Sequence, residues 1–140
     1  MTHRSQPNEP HVKIGIFSLW VKSGPDSEDW LEVLAACDAP SATITASGCI
    51  LQLSDLRRWL LELEEMNRTL TGNARLGSAE PNIDLSFNMT KLGNIDACLE
   101  ITPDYPTQLH KIGFECDQSH LPALIRQLNL VITKCSRENT

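Results

Sequence analysis

Apolar and polar residues alternate along much of this chain, and the period of the alternation marks its elements. Leu31, Val33, Ala35 and Cys37 recur at every second position, which predicts a strand with one buried face. The apolar segment 11–21, HVKIGIFSLWV, predicts a strand before it, and the Gly-Pro-acidic stretch 22–28 a loop between them. After Pro40-Ser41, Ile44 and Ala46 share one phase and Cys49, Leu51 and Leu53 another. A phase slip at Gly48 predicts a bulge in this third strand. Period two returns at Ile83, Leu85, Phe87 and Met89, and again at Ile95, Ala97, Leu99 and Ile101, with KLGN (91–94) as a hairpin turn between them. NARLGS (73–78) is a short strand candidate, and QLHKIGFECD (108–117) the last strand.

Two segments change to helical spacing. Leu56, Trp59, Leu60, Leu63, Asn67 and Leu70 form one stripe, with Arg57, Arg58, Leu61, Glu65 and Arg68 opposite. Ser54 is the expected N-cap, Asp55 complements the helix dipole, and Gly72 ends the helix, giving 54–71. Arg58–Glu62 and Glu64–Arg68 are spaced as i,i+4 ion pairs. The second helix follows Ser119, with Leu121, Leu124, Ile125, Leu128, Val131, Ile132 and Cys135 as its stripe. SDLRRWLLEL from Ser54 and SHLPALIRQL from Ser119 align, each behind an amphipathic strand, and suggest a βββα pseudo-repeat. The predicted fold is α+β: a single antiparallel sheet of six or seven strands with two amphipathic helices packed on one face. Residues 1–10 read as a disordered leader, 11–135 as one domain and 136–140 as a frayed tail.

Composition narrows the function classes. A formal net charge of −6, with Arg57-Arg58 the one adjacent basic pair, argues against nucleic-acid binding, which needs clustered cations. No apolar run reaches membrane-spanning length, and the first ten residues lack the apolar core of a secretory signal. Cys37, Cys49, Cys98, Cys116 and Cys135 are odd in number and widely spaced, so reduced thiols are expected and the cytoplasm is the expected compartment.

Cys116, Asp117 and His120 are the one cluster with the residue types of a nucleophile, an orienting acid and a base. Cys116 shares inward parity with Ile112 and Phe114, however, and Asp117 and Ser119 sit where a strand hands over to a helix. The junction reading is preferred, and no catalytic residue is assigned. His110 and Cys116 share a strand face but lie ~20 Å apart at ~3.3 Å per residue, too far for one metal ion. His3 and His11 bring no organised ligand set, and neither metal nor cofactor is expected. The acidic loop Asp26, Glu28 and Asp29 is a candidate contact for a basic partner. Leu61 and Leu130, opposite their core stripes, are candidate seeds of a homodimer contact.

Trp30-Leu31, the Asp55-Leu56-x-x-Trp59 helix start, Gly72, Glu80-Pro81 and Asp117-Gln118-x-x-Leu121 together resemble the WapI-type bacterial immunity family and related small bacterial proteins. The likeness spans roughly residues 29–128. It departs where the family pattern has Gly-His-Val and this chain has Gly93-Asn94-Ile95. The resemblance implies a non-enzymatic cytoplasmic protein that binds and neutralises a toxin domain. An acidic inhibitor suits a basic toxin. The competing reading is a small homo-oligomeric interaction module.

Overall fold

The computed structural model describes residues 9–138. The chain forms two antiparallel meanders, each closed by a helix. The first contains β1 (Val12–Ile14), β2 (Phe17–Ser23), β3 (Trp30–Ala39) and β4 (Ala42–Gln52), followed by α1 (Leu53–Thr69). The second contains β5 (Asn73–Gly77), β6 (Ile83–Met89), β7 (Asn94–Ile101) and β8 (Lys111–Asp117), followed by α2 (Leu121–Glu138). Each sheet pairs only sequence neighbours, in the orders β1-β2-β3-β4 and β5-β6-β7-β8.

This corrects the expectation of one six- or seven-stranded sheet: there are two four-stranded sheets, and the repeating unit is ββββα rather than βββα. The reason is partly local. Gly15 takes a left-handed φ of 57° between the paired residues Ile14 and Phe17, so the apolar run 11–21 folds back as a hairpin. The rest is non-local. Alternation says which side chains are buried, but not which strands pair. Leu31, Val33, Ala35 and Cys37 of one sheet and Ile83, Leu85, Phe87 and Leu99 of the other are all buried, within one continuous core. At the sheet–sheet seam the Phe114 ring of β8 lies on Gly15, where a Cβ would come within 2.5 Å of it.

The helices pack against each other, α1 along β5 and α2 along β1, and bind these edge strands with equivalent side chains. Glu62 of α1 accepts the Arg75 N–H of β5 at 2.8 Å, and Gln127 of α2 accepts the Lys13 N–H of β1 at 3.0 Å. Burial of Leu56, Trp59, Leu63 and Met66 matches that of Leu121, Leu124, Leu128 and Val131. Trp59 meets Phe87 edge-on, ring centroids 5.9 Å apart, as expected from aromatic quadrupoles. Its buried indole N–H has no hydrogen-bond partner among the described residues.

Several local expectations shift. The N-cap of α1 is Gln52, whose N–H donates to Asp55 at 2.8 Å; Ser54 instead donates its N–H to Asp29 at 2.9 Å. Arg58 and Arg68 pair with Asp55 and Glu65 at i,i+3 spacing, not with Glu62 and Glu64. Asn67 and Leu70 leave the inward stripe, and Met66 takes the buried place. The bulge stands at Gly48: two residues of β3 span three of β4 there, which turns Ile50 inward and Cys49 out. Helix α2 continues to Glu138; the leader expectation for residues 1–8 and the tail at 139–140 fall outside the described residues.

Candidate functional site

The cysteine–acid–histidine cluster is a helix-start motif. Asp117 accepts the N–H of Ser119 at 2.9 Å as well as its hydroxyl, and the Asp117 N–H donates to Nδ1 of His120 at 3.2 Å. The Ser119 contacts hold the Asp117 carboxyl below its usual range. Cys116 points into the core, where burial, and then the Asp117 charge, push its thiol up to about 11. A thiol so raised stays protonated at neutral pH, the opposite of an activated nucleophile. The Gln52–Asp55 bond at the start of α1 is the counterpart of the Asp117–His120 bond.

The other candidates are similarly placed by the fold. His11 accepts the Val21 N–H through Nδ1 at 2.9 Å, and the His110 carbonyl accepts the Ile101 N–H; His3 is outside the described residues. Among the described residues no three His, Cys, Asp or Glu side chains are grouped to hold a metal ion. Asp26 accepts the N–H groups of Glu28 and Trp30, both at 2.9 Å, and so folds the β2–β3 loop. Asp29, at φ 72°, uses its carboxylate on α1 and is half-buried, whereas Asp26 and Glu28 are exposed.

Leu61 and Leu130 are both exposed, but they line different hollows. Leu130 borders one with Pro10, His11 and Lys134. Leu61 borders one with Glu62, Glu65, Thr71 and Gly72. Thr71 and Gly72 also border a larger hollow of about 700 Å³, between the α1–β5 turn and the β6–β7 turn. Its apolar lining is Leu70, Met89 and Leu92, with Lys91, Gly93 and Gln118 beside them.

The backbone around this hollow is unusual. Leu70 ends α1 at φ 56°, its N–H returned to the Met66 carbonyl at 2.7 Å. Gly72, at φ 87°, accepts the Met89 N–H at 2.9 Å and ties the two turns together. Leu92 sits at φ 65° with 96% of its surface exposed, and buried Gly93 follows at φ 78°. Leucine in this conformation is uncommon and costs roughly 1–2 kcal/mol. Leu92 and Leu70 line the larger hollow and Leu61 the adjoining one, a strip of exposed leucines spread over two hollows that share Thr71 and Gly72, with Lys91 on the first and Glu62 and Glu65 on the second. Only Leu61 of this strip was legible beforehand. Leu70 hides in a helical stripe; the one available signal for Leu92 is a lone apolar residue inside the polar turn Lys91-Leu92-Gly93-Asn94.

Gly72 and Gln118, two positions of the sequence resemblance, meet at this hollow, together with Gly93 of the segment where the resemblance departs. No helix is long and apolar enough to cross a membrane among the described residues. The solved structure of the plant transcriptional regulator PBF-2 overlaps 91% of this chain and 81% of its own at 13% identity, with a TM-score of 0.47, too low to carry an argument. No curated protein matches the chain. The model of the WapI-like immunity protein family matches residues 7–136, nearly the whole length, and the chain belongs to that family.

Proposed function

We propose that this chain acts in the cytoplasm as the stoichiometric inhibitor of a toxin domain, binding it without turnover through the Leu61–Leu70–Leu92 strip. The exposure of Leu92 carries the reading. A strained leucine held in water adds nothing to the stability of the free chain. A partner that buried it would recover ~2 kcal/mol of apolar transfer free energy. Backbone outliers of this kind cluster at binding sites, where the surrounding fold holds them. The hollow beside Leu92 gives a partner side chain a place to anchor.

The toxin surface that fits best is basic. The chain carries a formal charge of −6, and Glu62 and Glu65 flank the strip. Opposite charge speeds encounter, and the Asp26–Glu28–Asp29 loop adds to the steering field. Co-expression with candidate toxin domains, beginning with any encoded beside this chain's gene, tests the reading. Cells survive with the wild-type chain, the two proteins co-purify in equal amounts, and higher salt slows association. Cell death with folded inhibitor present, or chemical modification of the toxin by catalytic amounts of the chain, would overturn it.

A further inference from the structure

Among the described residues four strands stand at sheet edges: β1, β4, β5 and β8. An edge exposes unpaired N–H and C=O groups, and folded proteins usually blunt it with short strands, charges or a covering element. Three edges here are blunted. β1 has three residues, and its Lys13 N–H is taken by Gln127 of α2. β5 has five, lies under α1, and gives its Arg75 N–H to Glu62. β8, the counterpart of β4 in the second half, carries Lys111, Glu115 and Asp117.

β4 has none of these protections. It is the longest strand, 11 residues of sequence ATITASGCILQ, without a charge or a proline. Its strand partner is β3 alone, and among the described residues no other element hydrogen-bonds its backbone between Ala42 and Leu51. Thr43, Thr45 and Ser47 are exposed, and Ile44 is half-buried at the open rim of the core. The bulge at Gly48 bends the far end, so the flat, open stretch is Ala42–Ser47.

We propose that this edge is a dimerisation strand: a second copy of the chain adds its own β4 antiparallel to Ala42–Ser47, joining two four-stranded sheets into one of eight strands. Charge and symmetry select the occupant. Each copy carries −6, and this uncharged stretch lets two copies meet without opposing like charges; the anion beside it, Asp38 on β3, already accepts the Thr43 hydroxyl at 3.5 Å. The sequence is also self-complementary about Thr45. Two-fold pairing there sets Thr45 opposite its own copy, Thr43 opposite Ser47 and Ile44 opposite Ala46. Polar side chains meet on the outer face and apolar ones on the inner face, as a closed isologous contact requires. This inference does not rest on the toxin reading, since β4 contributes nothing to the Leu61–Leu92 strip.

Sedimentation equilibrium of the full chain, with hydrogen exchange of β4, tests it. The expected particle has twice the 15.6 kDa chain mass, and Ala42–Ser47 amides gain protection as concentration rises. Thr45→Lys, a change at an exposed position that reproduces a natural edge defence, weakens dimerisation at least tenfold, while Leu61→Asp leaves it unchanged. Ser47→Lys serves as the second variant should Thr45→Lys fold poorly. A monomer at every concentration, a dimer indifferent to both lysine variants, a dimer lost in Leu61→Asp, or β4 protection that arises only on adding another protein would each overturn the proposal.

Discussion

Gln118 stands so close to Gly93 that a Cβ on Gly93 would lie 2.7 Å from the Gln118 side-chain Cδ. This contact joins the β6–β7 turn to the start of α2 and fixes the backbone that presents Leu92. Gly93 is also at φ 78°, where a side chain is strained whatever the space. Gly93→Ala is therefore expected to lower stability by about 1–3 kcal/mol in denaturant titration. The Gln118 side-chain end can swing aside, so adding Gln118→Ala should recover only a minor part. Full recovery would mean that contact, not backbone strain, dominates.

The two cap assignments make opposite predictions. Asp55 is 4% exposed, accepts the Gln52 N–H and pairs with Arg58 at 3.0 Å, while Arg58 also donates to the Gly77 carbonyl at 3.0 Å. Asp55→Ala leaves the half-buried Gln52 N–H unpaired and removes the anion that positions Arg58 toward β5, at a cost of roughly 1–2 kcal/mol. Ser54→Ala removes no cap and should change stability by no more than about 0.5 kcal/mol. Thermal melts of the two variants decide between them.

Thiol labelling reads burial and protonation together. Cys49 is exposed, whereas Cys37, Cys116 and Cys135 are buried, and burial pushes the Cys37 and Cys116 thiols upward. Alkylation of the native chain near neutral pH should mark Cys49 first and reach Cys116 only on unfolding. Fast native labelling of Cys116 would contradict its assignment to the core.

His11 supplies a pH dependence. Burial, then the charge of Lys134, lowers its pKa from 6.5, and its neutral Nδ1 holds the Val21 N–H. The unfolded chain thus takes up the proton first. The stability from this site is complete above the unfolded pKa of 6.5 and is lost as pH falls through the lower folded value. His11→Gln should flatten this part of the melting-temperature profile between neutral and mildly acidic pH; an unchanged slope would assign the dependence to other groups.

How far the sequence led depended on the range of each interaction. The inward faces of β3 and β6 are legible because alternation is local: Leu31, Val33, Ala35 and Cys37, like Ile83, Leu85 and Phe87, lie where period two sets them. The division into two sheets was not legible, because pairing is a choice among distant strands and Gly15 looks like part of one apolar run. Serine preference points to Ser54 as a cap, yet β4 runs to Gln52, which caps α1 instead, just as Asp117 at the end of β8 caps the 3-10 turn Gln118–His120 that leads into α2. The binding strip was the least visible. Leu70 reads as a core residue of its helical stripe, and Leu92 as one apolar residue within a turn, until the left-handed backbone that exposes them is seen.

The most direct test of the binding account is calorimetric: a toxin domain found by co-expression to be neutralised by the wild-type chain is titrated with that chain and with Leu92→Asp. Leu92 is almost wholly exposed, so the variant should fold as the wild type does. The account predicts a one-to-one complex weakened about a hundredfold by the substitution, the ~2–4 kcal/mol of a central interface residue. A Leu92→Asp chain that is folded and binds with wild-type affinity would contradict it.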